Sequence, residues 1–267
     1  MRLYCQLPIM MDLSAPPIKR YIEIVTKLYD KVKREGTQID IRPLKKGICD
    51  IKHLDYPGIR FLNDRQLLLD MVEAESKGYD GILDVCYFDP ALRATRQIVN
   101  IPVVGASESA MHLAAFMGRR FATVTSSVDY ISGMEENLYQ YGLQDLAISH
   151  LPIRVINISG DDFINCFLSG DYSMILKSFN ETAMECIDDG AEVLIAGCGL
   201  FSPLLTDAGV LEVEGVPVIN PMIAAIKFCE LMVDINKSGM PFISRKGLYF
   251  KTPDCDFKDF CATTDGK

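Results

Sequence analysis

Two of the nine cysteines stand in matching surroundings 112 residues apart. GYDGILDVC, Gly78 to Cys86, aligns without gaps on GAEVLIAGC, Gly190 to Cys198: a Gly suited to ending a helix, an acid two positions on, an apolar strand, then Cys. Each Cys leads on to a strand opening on proline, IPVV around Pro102 and VPVI around Pro217, and each of these strands runs straight into a helical segment. This order reads as a half-to-half repeat. A thiolate can remove a proton and a thiol on the opposite face can return one, so a facing pair inverts a carbon acid beside a carbonyl without a cofactor. A thiol of ordinary pKa, about 8.5, is brought toward working pH by a helix N-terminus or a loop of donors. Tyr87, Phe88, Asp89 and Pro90 follow Cys86, and Gly199, Leu200, Phe201 and Ser202 follow Cys198. Their N–H groups suit an enolate-like oxygen, so Tyr87, Phe88, Gly199 and Leu200 are candidate substrate contacts. The competing reading of both cysteines is ordinary burial of a small apolar side chain at a strand end, and that reading serves the other seven better.

Short β-branched runs alternate with helical patterns throughout, the signature of an α/β fold with parallel sheets. A helix is expected from Ser14, with Pro16 and Pro17 in its first turn and Ile18, Ile22, Val25, Leu28 and Val32 on one face. Asn63 and Gln66 read as a capping box for the next helix, and Ile82 to Cys86 as a strand. The repeat implies two similar parallel-sheet lobes related by a pseudo-two-fold: residues 1–105 plus 217–267, with a C-terminal extension, and residues 106–216. Ligands bind at the carboxyl ends of such strands, so both thiols would face one cleft between the lobes. Asp84, two residues before Cys86 and on the same strand face, could perturb the thiol or pair with Arg93 or Arg96. Thr125 and Ser126 end a strand and could donate to a substrate oxygen or cap the segment from Val128. His112, on the helix after IPVVG, is a candidate for a supporting role.

Composition narrows the classes. The 267 residues are 49% hydrophobic and 24% charged, which is globular. A formal net charge of −9 leaves no basic stripe for nucleic acid. The longest nearly apolar run, Val193 to Leu205, is interrupted by Gly and Pro and is too short to span a membrane. The N-terminus reads as a first buried strand, and unpaired cysteines in so long a chain fit a reducing, cytoplasmic setting. No dinucleotide fingerprint or phosphate loop occurs, and His53, His112 and His150 are too dispersed for a metal site, so no metal and no cofactor is expected. The expected partner is a small-molecule substrate, and assembly into a homo-oligomer is compatible with the aromatic tail from Gly239 to Lys267.

The stretch DVCYFDPALRATRQIVNIPVVGASESAMHLAAFMGRRFATVT resembles the first-cysteine region of hydantoin racemases, in the aspartate/glutamate racemase superfamily, and GAEVLIAGCGL resembles their second-cysteine segment. The features that carry the likeness are Cys86 with Asp89 and Pro90, the IPVVG strand, Glu108, and the pair Met111 and His112. The resemblance implies two α/β lobes and proton-transfer roles for Cys86 and Cys198 on a hydantoin, an allantoin-like ureide or, second, an acidic amino acid. Where those enzymes carry an Asn-Pro-Asn-Thr type loop after the first strand, this chain has Gln6, Leu7, Pro8, Ile9 and Met10, which puts Pro8 at the expected site. A cis-trans isomerase or decarboxylase of a small dicarboxylate would use the same scaffold, and a non-catalytic two-lobed binding protein is the reading from another class.

Overall fold

The computed structural model describes residues 1–50, 53–54, 56–156 and 158–251. The first half runs β1 (Arg2–Gln6), α1 (Pro16–Val32), β2 (Gln38–Arg42), α2 (Pro57–Ser76), β3 (Gly81–Asp84), α3 (Leu92–Ile98) and β4 (Val103–Gly105). Its four strands are parallel, in the order β2-β1-β3-β4. The second half runs α4 (Ala106–Met117), β5 (Phe121–Thr125), α5 (Ile131–Gln140), β6 (Ile153–Val155), α6 (Gly160–Ser169), α7 (Ser173–Asp188), β7 (Val193–Ala196), α8 (Phe201–Asp207), β8 (Glu212–Val213), β9 (Val216–Ile219) and α9 (Pro221–Lys237). Its sheet has the order β6-β5-β7-β9-β8, parallel except for β8. The two orders coincide element by element, β1 with β5, β2 with β6, β3 with β7 and β4 with β9. The chain is an α/β fold of two parallel-sheet lobes.

The strands that lead to the cysteines are central in each sheet and buried along their whole length, as strands covered by helices on both faces must be. Each is entered the same way. Gly78 and Gly190 take left-handed φ values of +74° and +94°, which let the chain close α2 and α7 and turn into the sheet. The residues after them bond back alike, Tyr79 N–H to Ala74 O at 3.4 Å and Ala191 N–H to Cys186 O at 3.0 Å. Helix α1 buries Tyr21, Ile24, Val25, Leu28 and Tyr29 along one face, with proline in its first turn.

The lobes exchange helices. Helix α4 leaves β4 and buries Ala110, Met111 and Ala114 with Phe121, Val193, Ile195 and Ile219 of the second sheet. Helix α9 leaves β9 and buries Ala225, Ile226, Cys229 and Val233 with Leu3, Leu83 and Val104 of the first.

Three expectations are corrected. The boundary drawn before Pro217 cuts β9, whose Val218 and Ile219 pair with Leu194 and Ile195; the chain returns to the first sheet only at Asn220, whose side chain caps α9. Asn63 is no cap, because α2 begins six residues earlier at Pro57. The strand expected over Ile82 to Cys86 ends at Asp84, which leaves the thiol on the loop beyond the sheet. After α9 the chain lies against α3, with the Arg245 guanidinium donating to the carbonyls of Arg96 at 2.8 Å and Val99 at 2.6 Å. The rest of the expected extension, residues 252–267, lies outside the described residues. Among the described residues, no helix is long and apolar enough to cross a membrane.

Candidate active site

Cys86 and Cys198 lie two residues beyond the ends of β3 and β7. Both line one cavity of about 560 Å³, together with Leu7, Pro8, Ile9, Met11, Tyr21, Leu54, Val85, Tyr87, Phe88, Tyr130, Met134, Gly197, Gly199 and Leu200. No described lining residue is Lys, Arg, His, Asp or Glu. Each thiol residue is 8% exposed. A second cavity of about 740 Å³ adjoins the first, sharing Pro8, Leu54, Cys86 and Phe88, and is more polar, with Arg60, Asp64, Glu136 and Asn137 on its wall. Burial pushes the Asp64 carboxyl up to about 6.

Each loop that carries a thiol is held by the opposite lobe. Tyr87 and Thr123 hydroxyls are 3.2 Å apart, Asn137 Nδ2 donates to Tyr87 O at 3.4 Å, and the Tyr21 hydroxyl, reaching over from α1, donates to Gly199 O at 3.0 Å. The surroundings of the two sulfurs differ. Cys198 Sγ accepts from the Ser126 hydroxyl at 3.3 Å and from Leu200 N–H at 3.4 Å. Burial raises this thiol, while those donors and the Phe201 N–H pull it back. Burial pushes Cys86 well up, and Asp84, Asp89 and Asp64 push it further against a single N–H donor from Phe88.

The expected residues Tyr87, Phe88, Gly199, Leu200 and Pro8 thus gather with the two thiols in one cavity. Two other assignments are corrected. Thr125 is fully buried behind the loop and donates to Gly197 O at 3.5 Å, so it braces the loop and lines no part of the cavity. His112 lines a different cavity, with Arg96, Glu108, Phe242 and Tyr249, and its Nδ1–H is spent on Glu108 O at 2.8 Å, one helical turn back. Ser126 serves Cys198 directly. Asp84 pairs with neither arginine: its Oδ1 accepts from Cys86 N–H at 3.4 Å, and its buried Oδ2 has no partner. Arg96 is bound to Glu108, and Arg93 donates to Gln140 O. Among the described residues, no group of three or more His, Cys, Asp or Glu is placed to hold a metal.

Comparison with known proteins settles the lineage. The Asp/Glu/hydantoin racemase family profile matches residues 58–229, more than half of the chain. The chain belongs to the Asp/Glu/hydantoin racemase family. It is 30% identical over 212 residues to a hydantoin racemase from Pseudomonas sp. (strain NS671), covering 76% of this chain and 77% of that one. Its fold is shared with the allantoin racemase from Klebsiella pneumoniae, at TM-score 0.76 and 21% identity over 95% of this chain and 94% of that one. The allantoin racemase from Pseudomonas fluorescens matches at TM-score 0.76 and 20% identity, over 96% and 99% of the two chains. This chain is an isomerase of the racemase type.

Other parts of this racemase's site escaped the sequence reading. Asn63 Nδ2 donates to Pro8 O at 2.8 Å while its Oδ1 accepts from Ile48 N–H at 2.9 Å, which pins the wall formed by residues 8 and 9. Asp89, in a left-handed conformation at φ +48°, accepts from Ser107 N–H at 2.9 Å, Glu108 N–H at 2.7 Å and the Tyr141 hydroxyl at 2.7 Å. It caps α4 from the loop that holds Cys86. Gly105 permits this, since a Cβ there would stand 2.5 Å from Asp89 Cγ.

Burial pushes Asp89 up to about 7 from an ordinary 3.8, against the pull of its three donors. The folded chain therefore holds a proton that the unfolded chain releases. This contribution to stability is full below about pH 4 and is lost as pH rises through about 7. In Asp89→Asn the cap is weakened, at a cost of about 1 kcal/mol, and this pH dependence disappears. Urea midpoints at pH 5 and pH 8 will differ less in the variant than in the parent; equal differences would show that Asp89 titrates as an ordinary carboxyl.

Proposed function

We propose that this racemase inverts C5 of 5-substituted hydantoins without a cofactor, with Cys86 and Cys198 as opposed acid and base. The observation that carries the reading is the pair of thiols, equally buried at equivalent strand ends, on the wall of one shared cavity between the lobes. One thiolate takes the C5 proton, the C–H electron pair moves onto the adjacent carbonyl oxygen, and the other thiol delivers a proton to the opposite face. Backbone N–H groups on the loops after the two thiols are the available donors for that oxygen.

The lining supports a neutral substrate. An acidic amino acid brings two carboxylates and an ammonium, and no described residue on the cavity wall is Lys, Arg or His to meet them; burying those charges unpaired costs several kcal/mol each. A hydantoin brings no full charge. Leu7, Ile9, Met11, Leu54 and Met134 favour an alkyl or aryl substituent over a ureido group, whose N–H donors they cannot satisfy. The hydantoin racemase relatives support the same substrate class.

Single enantiomers of 5-benzylhydantoin, 5-isobutylhydantoin, allantoin and aspartate, incubated with the protein in deuterated water and followed by polarimetry and mass spectrometry, test the reading. The expected result is racemisation with deuterium entering C5 of the alkyl and aryl hydantoins, slower turnover of allantoin and none of aspartate. Turnover of aspartate without turnover of any hydantoin would overturn it.

A further inference from the structure

The repeat that places the two cysteines is broken at two positions beside them, and both breaks act in one direction. Where the second lobe has Ala196 two residues before its cysteine, the first has Asp84, and both positions are buried. Two residues beyond the β5 position that pairs with Ala196 stands Ser126, whose hydroxyl reaches Cys198 Sγ; two residues beyond the β1 position that pairs with Asp84 stands Pro8, which has no donor. One sulfur is given donors and no acid on its own strand, and the other is given an acid and an apolar neighbour.

We propose that Asp84 is a positioning residue that keeps Cys86 as the proton-bearing thiol of the resting site, so that Cys198 carries the thiolate. This rests on the two-thiol reading above and assigns the two partners their starting roles. Asp84 is fully buried, hydrogen-bonds the Cys86 N–H through Oδ1, and leaves Oδ2 without a partner. An orphan carboxyl oxygen is costly in a fold. Here the cost is offset by what the charge does to its neighbour, because two negative charges two residues apart in a dry site exclude one another and the pair titrates as a unit. The groups facing them agree. Asp89 on the following loop and Asp64 on α2 add to the negative field, while Arg96 on α3, tied to Glu108, is a cation acting on Asp84 and Arg60 on α2 stands beside Asp64 in the adjoining cavity. Tyr21 on α1 and Cys5 on β1 border the site with protons that burial holds in place.

In one turnover the Cys198 thiolate becomes a thiol by taking the substrate proton, and Cys86 ends as a thiolate after giving its own. Once product leaves, Cys198 gives its proton to water and Cys86 takes one from water, which restores the resting pair, and the Asp84 carboxylate favours that return by repelling the Cys86 thiolate.

The test is peptide-resolved mass spectrometry of iodoacetamide alkylation across pH 6 to about 10, using the full-length protein. Each residue is 8% exposed, and each rate is taken relative to its own value at the alkaline end of the range, so that the comparison reports thiolate content. Cys198 is expected to react at least fivefold faster than Cys86 at pH 7.5, and equal or reversed rates would overturn the proposal. In Asp84→Asn the pH midpoint of Cys86 should fall by a unit or more while the Cys198 rate stays within twofold. Local loosening would raise the Cys86 rate at every pH without moving its midpoint, and an unmoved midpoint overturns the proposal. Should the variant fail to fold, the rate ratio in the parent decides. Loss of the two-thiol reading would appear separately, as asymmetric thiols in a protein that racemises nothing.

Discussion

Cys86→Ser and Cys198→Ser are each expected to abolish racemisation, lowering kcat by about 10³-fold or more, since positioned general acid–base catalysis is worth roughly 10²–10⁴-fold at each step. A hydroxyl keeps the volume of the site but has no accessible anionic form near neutral pH. The two variants will fail differently. The cysteine that remains can still exchange the C5 proton of the enantiomer presenting that proton to it, so each variant should incorporate deuterium into one enantiomer without converting it to the other. Chiral chromatography coupled to mass spectrometry of each enantiomer incubated in deuterated water reads both losses. Full racemisation by either single variant would remove the two-thiol mechanism.

Gly197→Ala should be nearly as damaging without touching a reacting atom. Gly197 threads between Thr123 and Tyr87. A methyl there would collide with Thr123 Cγ2 and stand 3.1 Å from the Tyr87 ring, while the backbone is fixed by Gly197 N–H to Val124 O at 2.8 Å. Overpacking of this kind costs about 1–3 kcal/mol, and the loop it displaces holds Cys198. A shift of about 1 Å at a reacting group is worth about 10²-fold in rate. The expected outcome is a fall of about that size in kcat, with a moderate drop in Tm by calorimetry. Thr123→Ser removes the colliding methyl and keeps the hydroxyl beside Tyr87, so the double variant should regain most of the lost activity. No recovery would mean that the Tyr87 contact, or the loop's own geometry, sets the limit.

What could be read from the sequence was what repeats or is local. The matched segments around Cys86 and Cys198 carried their own context, so the strand ends and the shared cavity followed from them. Residues that act across the chain carried no such mark. Tyr21 reaches Gly199 over 178 residues and Asn63 reaches Pro8 over 55, and no spacing rule links such partners. Thr125 and His112 were chosen for side-chain chemistry on the right elements, but a hydroxyl or imidazole serves the site only if it faces the cavity, and their bonds to Gly197 O and Glu108 O commit them elsewhere. The lobe boundary was misplaced because a strand and its following helix were assigned together, whereas β9 stays in its sheet and only α9 crosses.

That crossing limits how this racemase can have arisen and how it can be divided. Each sheet is covered on one face by the helix that grows out of the other sheet's last strand, so neither half-chain owns a complete hydrophobic interior. Severed at residue 118, the N-terminal portion would hold an α4 with nothing of its own to cover and a β3 face without α9. A second copy of itself would satisfy both needs at once, as the matching strand orders require. The molecule is in that sense built as a covalent dimer of two similar halves, and the halves differ beside the two thiols in Asp84 against Ala196 and Pro8 against Ser126. By the same logic, unfolding is expected to pass through no intermediate in which one half stands alone.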